Sequence, residues 1–377
     1  MLHSRRWRAL ALTTSGGVAL AAAIAAGPAG ADASPDGHAL AGQEFHQTNL
    51  VSDRTDQNAV LVDPQLLNPW GLAMSATSPI WIADNNSNLS TLYSVTPGGT
   101  GVTKAGLVVT VDGGRASTND ASSPSGQVFN GGTGFVVTSA TGSGPARFIF
   151  SSESGQITGW SPTANGTEAL VVFSSPTAVY KGLAIATSDT GTFLYASNFH
   201  DGTVDVFNSS FAMVQMPGGF KDPMLPPGYA PFGIQNLNGL MYVTYAKQDA
   251  AKHDDVAGIG RGFVDVYTTN GFLVERLVTR GLLNSPWGLT IAPAGFGSFG
   301  GDLLVGDFGD GRIHAYDPFS GRFMGTVRNE SGMPLTIDGL WGLTFGTAST
   351  GGTGTLLFSA GPNGQADGLF GSLNPVS

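Results

Sequence analysis

Between Lys247 and Asp255, the stretch YAKQDAAKHDDVAGIGRG (245–262) places two lysines, a histidine and three aspartates in a chain of which only 12% is charged. Three kinds of chemistry fit such a set. His253 beside Asp254 and Asp255 suits general acid–base work, because neighbouring carboxylates tune an imidazole near neutral pH. His200 beside Asp201 repeats that pairing. An imidazole with carboxylates also suits a transition metal. Lys247 and Asp249, with the charges that follow, suit a salt-linked lid contacting a ligand, and Gly258, Gly260 and Gly262 would let it bend. A self-neutralising surface loop would use the same residues.

Asp84, Asp307 and Asp310 stand after β-like runs, beside Asn85 or Gly-rich turns. Convergent Asp and Asn oxygens suit calcium, which takes six to eight oxygen ligands, so calcium is the cofactor they would favour. Aspartate before a turn also satisfies backbone donors without any ligand. No GxxxxGK, HExxH or GxSxG elbow is present, and there is no cysteine for thiol chemistry.

The elements that position these residues come from a repeat. NPWGLAM (68–74) recurs as SPSGQVF, VYKGLAI, YAPFGIQ, NSPWGLT and DGLWGLT, putting Gly71, Gly126, Gly182, Gly233, Gly288 and Gly342 in register. Each repeat continues with runs such as IWIAD, FLYAS or LLVGD, a Gly- or Asn-rich turn, and a third run such as GTVDVF or GRIHAY. Alternating short β-runs at a regular period of this length predict propeller blades. We therefore expect an all-β, six-bladed β-propeller over residues 45–377. The second repeat is irregular, with FVVTS placed before RFIFSSESGQITGW, and its strands stay unassigned. The last repeat lacks a fourth run, whereas FHQTNLVS (45–52) precedes the first, so residues 45–52 should complete the sixth blade and seal the ring.

In that architecture the inner strands begin where the second strands end, at one mouth of the axial channel. The residues preceding the aligned glycines would ring this mouth: Trp70, Ser125, Lys181, Phe232, Trp287 and Trp341. The aromatic ones could stack on a sugar ring or surround a cation. They could equally wedge between blades. The crowded stretch 245–262 falls in the longest loop of the same face and should overhang the axis.

Bulk properties restrict the partners. A formal charge of −10 argues against nucleic acid. A small molecule, a carbohydrate or an extracellular protein fits better. Arg5, Arg6 and Arg8, an apolar stretch from Ala9 to Ala26, and Ala29-Gly30-Ala31 read as a signal peptide over 1–31, followed by a flexible lead over 32–44. No later stretch is long and apolar enough to span a bilayer. A secreted, extracellular protein without disulfides follows.

The PWGL, VAD and G-I-x-V-Y grammar resembles NHL-type propeller repeats. KHDDVAGIGRGFVDVY, GDLLVGDFGDGRIHAYD and AGPNGQADGLFGSL together are similar to a family of exported bacterial proteins, some with C-terminal sorting tags. That likeness runs from about residue 46 to 373, implies a secreted six-bladed propeller, and brings no catalytic residues with it. The architecture also resembles the senescence-marker/gluconolactonase and paraoxonase propellers, which hold calcium at the channel mouth through Asn or Asp before the inner-strand glycine. Here those positions are mostly Trp, Phe and Lys, and a lysine would repel the ion. The expected function is ligand or partner binding on the loop-rich mouth. The alternative is a metal-dependent hydrolase or lyase at the same place.

Overall fold

The computed structural model describes residues 44–111 and 123–376. The expected signal peptide, and the lead as far as residue 43, lie outside the described residues. Six sheets are arranged as a propeller, each running antiparallel from an inner to an outer strand, and the sixth adds two short parallel partners, Leu61–Val62 and Arg328–Asn329, on Glu44–Ser52. The inner strands are Pro69–Ala73, Pro124–Phe129, Tyr180–Ser188, Tyr229–Leu237, Pro286–Ile291 and Leu340–Phe345, one from each repeat. Blade 4 shows the full pattern: its inner strand is followed by Leu240–Lys247, Gly262–Thr268 and Leu273–Thr279. In blade 3 the outer strand shrinks to Met213–Val214.

The aligned glycines have a geometric cause. A Cβ on Gly126 would lie 2.2 Å from Leu183 N, on Gly233 2.1 Å from Trp287 O, and on Gly288 2.6 Å from Trp341 O. The ring closes in the same way: a Cβ on Gly342 would lie 2.6 Å from Trp70 O, and on Gly71 2.7 Å from Ser125 O. Inner strands of neighbouring blades thus approach backbone to backbone around the axis, and no side chain fits between them.

Between the blades lie six apolar layers. Tyr180, Leu194 and Phe207 of blade 3 pack on Ile149 and Ile157 of blade 2, and equivalent clusters fill every other junction. The junction of blades 6 and 1 holds Leu50, Val51, Ile80, Tyr93 and Phe370. It depends on the closure anticipated from the sequence. Glu44–Ser52 pairs antiparallel with Leu369–Pro375 from Phe45↔Pro375 to Ser52↔Leu369, interrupted by a bulge between Asn49 and Val51. The final sheet therefore has no free edge at this strand.

Blade 2 accounts for the irregular repeat. Its second and third strands are Phe148–Ser152 and Gln156–Trp160, and the additional run belongs to a separate hairpin, Val136–Thr138 with Ser143–Pro145. That hairpin is inserted between the inner and second strands, so it does not touch the blade count. No helix among the described residues is long and apolar enough to cross a membrane.

Candidate functional site at the channel mouth

Each inner strand carries a register shift against its second strand at the aligned glycine: Pro69/Leu72, Pro124/Gln127, Tyr180/Gly182, Pro231/Ile234, Pro286/Gly288 and Leu340/Leu343. A bulge re-aims the side chain beside it. Repeated around the ring, it turns the residue before each glycine toward the axis. Trp70, Phe232, Trp287 and Trp341 meet there with Phe199 and Phe308 in one buried cluster. Trp70 stacks on Trp341 at 3.6 Å between ring centroids, and Phe308 stacks on Trp341 at 4.0 Å. Trp287 meets both tryptophans edge-on.

The tryptophans are no more than 9% exposed and Phe232 is fully buried. The ring faces that the sequence reading assigned to a ligand are thus occupied by one another. They close this end of the channel. Beneath them remains an axial cavity of about 20 Å³, lined by Gly71, Gln127, Gln235 and Leu343, with room for about one water.

Lys181 occupies the same kind of position in blade 3 and is 2% exposed. Its Nζ lies 5.3 Å from the Trp70 ring centroid, and its carbonyl accepts the Trp287 indole N–H at 2.9 Å. It donates to Glu153 Oε1 and, at 3.3 Å, to Asp254 Oδ1. Glu153 stands in the turn between the second and third strands of blade 2. Asp254 arrives from the loop 248–261 of blade 4, which does reach across the mouth. His253 Nδ1 lies 2.9 Å from Asp254 Oδ1.

On the other side, Asn85 donates to Glu153 Oε2 at 2.9 Å. Asn68 donates to Asn85 Oδ1 and Gln365 Oε1, while its own Oδ1 accepts the Trp341 indole N–H. Gln365, Asn68, Asn85, Glu153, Lys181, Asp254 and His253 therefore form one continuous polar arc. Five blades contribute to it, and the aromatic layer is its floor.

The electrostatics follow from burial. Desolvation alone would pull the Lys181 ammonium down, but Glu153 and Asp254 more than reverse this, and its pKa is raised. The His253 hydrogen bond is the chief cause that lowers Asp254 to about 2, and the same bond raises His253. Burial pushes Asp255 up, and its Oδ2 makes no hydrogen bond. Asp254 is 67% exposed and His253 48%, so the arc has a buried cationic centre and an accessible acidic end.

Ligand atoms of Glu153, His253 and Asp254 lie within 4.8 Å of one another. Calcium does not fit there, because the Lys181 ammonium already holds the cation position between the two carboxylates. Asp84 is buried elsewhere in blade 1 and accepts the Thr91 amide at 3.0 Å. Asp307 and Asp310 gather in blade 5 with His314. His200 is paired with its own neighbour, Asp201, at 2.9 Å and does not join the arc. Nor do Lys247, which lies over the Tyr229 ring, or Asp249, which caps the His253 amide.

The sequence reading missed Glu153, Asn68 and Gln365. For Glu153 a signal existed: SSESG occupies the turn equivalent to ADNN (83–86), and it was hidden only by the unassigned strands of blade 2.

Among proteins of known sequence, the chain is 32% identical over 333 residues to "Uncharacterized protein R648" of Acanthamoeba polyphaga mimivirus, covering 86% of this chain and 78% of that one. "Uncharacterized protein L690" of the same virus is also 32% identical over 333 residues, covering 86% and 84%. The chain belongs to the family of these mimivirus proteins. No established family profile matches it. Among solved structures it resembles virginiamycin B lyase from Staphylococcus aureus, at 15% identity and a TM-score of 0.51 over 88% of this chain and 100% of that one. An α-L-arabinanase from Penicillium chrysogenum, complexed with arabinobiose, gives 10% identity and a TM-score of 0.51 over 87% and 97%. At these identities the likeness is one of fold, and the propeller serves enzymes of unrelated chemistry.

Proposed function

We propose that this protein is an exported propeller that binds a polar, neutral or cationic ligand on its loop-rich face. The observation that carries the reading is the arc from Gln365 to His253. Five blades converge on it, its amides and carboxylates suit a hydroxyl- or amine-bearing ligand, and the loop 248–261 can close over it. Burying an ammonium costs several kcal/mol, and a fold that needed only stability would be as well served by apolar side chains in place of the whole Lys181–Glu153 pair. Export, and membership of the NHL-like exported proteins that the motifs resemble, are part of the same reading. It is supported by the basic and apolar stretches before Asp32, and N-terminal sequencing of secreted protein should begin near that residue.

Binding is tested by calorimetric titration with a panel of monosaccharides, disaccharides and short cationic peptides. Asp254→Asn and Asn85→Ala serve as site variants. A saturable ligand lost in both variants, each still folding cooperatively at the assay temperature, supports the reading. No binding across the panel, or binding indifferent to both substitutions, contradicts it. The His253–Asp254 pair favours a second reading, a hydrolase or lyase with His253 as base. Turnover of a bound ligand, abolished in His253→Gln at unchanged affinity, selects it.

A further inference from the structure

In blade 5 the second strand, Leu303–Asp307, ends on a fully buried aspartate, and the third, Ile313–Tyr316, carries His314, which is 1% exposed. His314 Nδ1 lies 2.9 Å from Thr326 Oγ1 on the outer strand. If Nδ1–H donates to that hydroxyl, the Nε2 lone pair faces inward, 3.4 Å from Asp307 Oδ2. Nε2 and both Asp307 carboxylate oxygens are buried without a hydrogen bond of normal geometry. Asp310, half-buried on the intervening turn, brings a third ligand atom, and all three lie within 4.8 Å of one another.

Buried polar atoms are ordinarily paired, so three orphaned atoms on two facing side chains require an explanation. A shared proton is a poor one, since hydrogen bonds between nitrogen and oxygen run at about 2.7–3.2 Å. The separation does match two ligands of one tetrahedral ion. With metal–nitrogen and metal–oxygen bonds of about 2.0–2.2 Å, ligand atoms stand roughly 3.3–3.5 Å apart.

The charges facing the cluster agree. Burial raises Asp307 well above the usual carboxylate range and Asp310 adds to this, against the Asn284 amide and Arg312, so an ion entering here displaces a proton from Asp307. Arg312 forms no ion pair with either carboxylate, and its Nε is itself buried without a partner. One guanidinium thus stands against two acids.

We propose that Asp307, Asp310 and His314 form a binding site for a divalent transition metal of the zinc class, with Thr326 orienting the imidazole. One nitrogen and two carboxylates suit zinc, manganese or iron better than calcium, which prefers an all-oxygen shell. The site lies apart from the polar arc and does not depend on its function, but it is mechanically linked to it. The Phe308 and Gly309 amides donate to the Ser285 and Asn284 carbonyls, and Asn284 Oδ1 accepts the Gly258 amide at the end of the loop 248–261. An ion here would fix the turn that holds both Phe308 on Trp341 and the root of that loop.

The test uses the full chain, stripped with chelator, then titrated with Zn²⁺ by calorimetry and with Co²⁺ by visible absorption. The expected result is one ion per chain, a tetrahedral-type cobalt spectrum, and a raised unfolding temperature with Zn²⁺. Asp310→Asn, at a half-buried position that should tolerate it, weakens binding at least tenfold, and Thr326→Val by about tenfold. The proposal is overturned if wild-type protein takes up neither ion stoichiometrically. It is equally overturned if Asp310→Asn and Thr326→Val bind as tightly as wild type.

Discussion

Replacing Lys181 by methionine keeps the stem and removes the charge, so it isolates the electrostatics of the arc. Glu153 is 13% exposed and would keep only Asn85 as a donor, whereas Asp254 is 67% exposed and regains water. Breaking a buried pair by removing one partner costs about 3–5 kcal/mol. An exposed link is worth about 0.5 kcal/mol. We therefore expect Lys181→Met to cost about 3 kcal/mol and Asp254→Asn about 0.5 kcal/mol. The double variant Lys181→Met/Glu153→Gln should recover about 2 kcal/mol, since it leaves no stranded charge. Guanidinium unfolding at pH 7 reads these differences as midpoint shifts at a common slope. A Lys181→Met variant within 0.5 kcal/mol of wild type, about the worth of a surface pair, would refute the reasoning. So would additive losses in the double variant.

Gly126→Ala forces a Cβ to 2.2 Å from Leu183 N, whereas Gly106→Ala meets nothing within 4 Å. Unfolding midpoints should drop by the equivalent of about 3 kcal/mol for the first and hardly move for the second. The His253–Asp254 pair should make the loop 248–261 pH-sensitive. Because His253 is raised, its contribution is complete below about pH 6.5 and is lost as pH climbs through the raised value. Asp254, lowered to about 2, contributes above the ordinary aspartate value of about 3.9 and loses this as pH falls toward 2. Limited proteolysis in the loop should therefore be slower at mildly acidic than at alkaline pH, and His253→Gln should abolish the difference. Removing residues through Ser52 strips Phe45, Leu50 and Val51 from the core and bares the edge of Leu369–Pro375. Size-exclusion chromatography should then show aggregate that the full chain does not form.

The propeller was legible because its cause is local and repeated. A glycine is required wherever two inner strands touch, and the touching recurs once per blade. The closing strand was legible from a missing run at one end and a surplus run at the other. The mouth was harder. That Trp70, Phe232, Trp287 and Trp341 sit near the axis follows from register, but whether their faces are free depends on how four rings fill one space, which no linear spacing records. Lys181 was legible as a mouth residue, and Asp254 as a loop residue above it. Their ion pair was not, because Glu153 completes it from a blade whose strands could not be assigned. His314 looked like one more residue of a β-run. Its meaning lies in the orphaned nitrogen, a property of packing alone.

The central claim is that Lys181 is a buried cation clamped beneath the loop 248–261 at the convergence of the blades. Competitive acylation of folded protein, read lysine by lysine by mass spectrometry, tests it most directly, with exposed Lys221 and Lys252 as internal references. The account predicts that Lys181 stays unmodified while the references react, and that it becomes reactive only with unfolding. Labelling of Lys181 in the folded protein at the rate of Lys252 would contradict it.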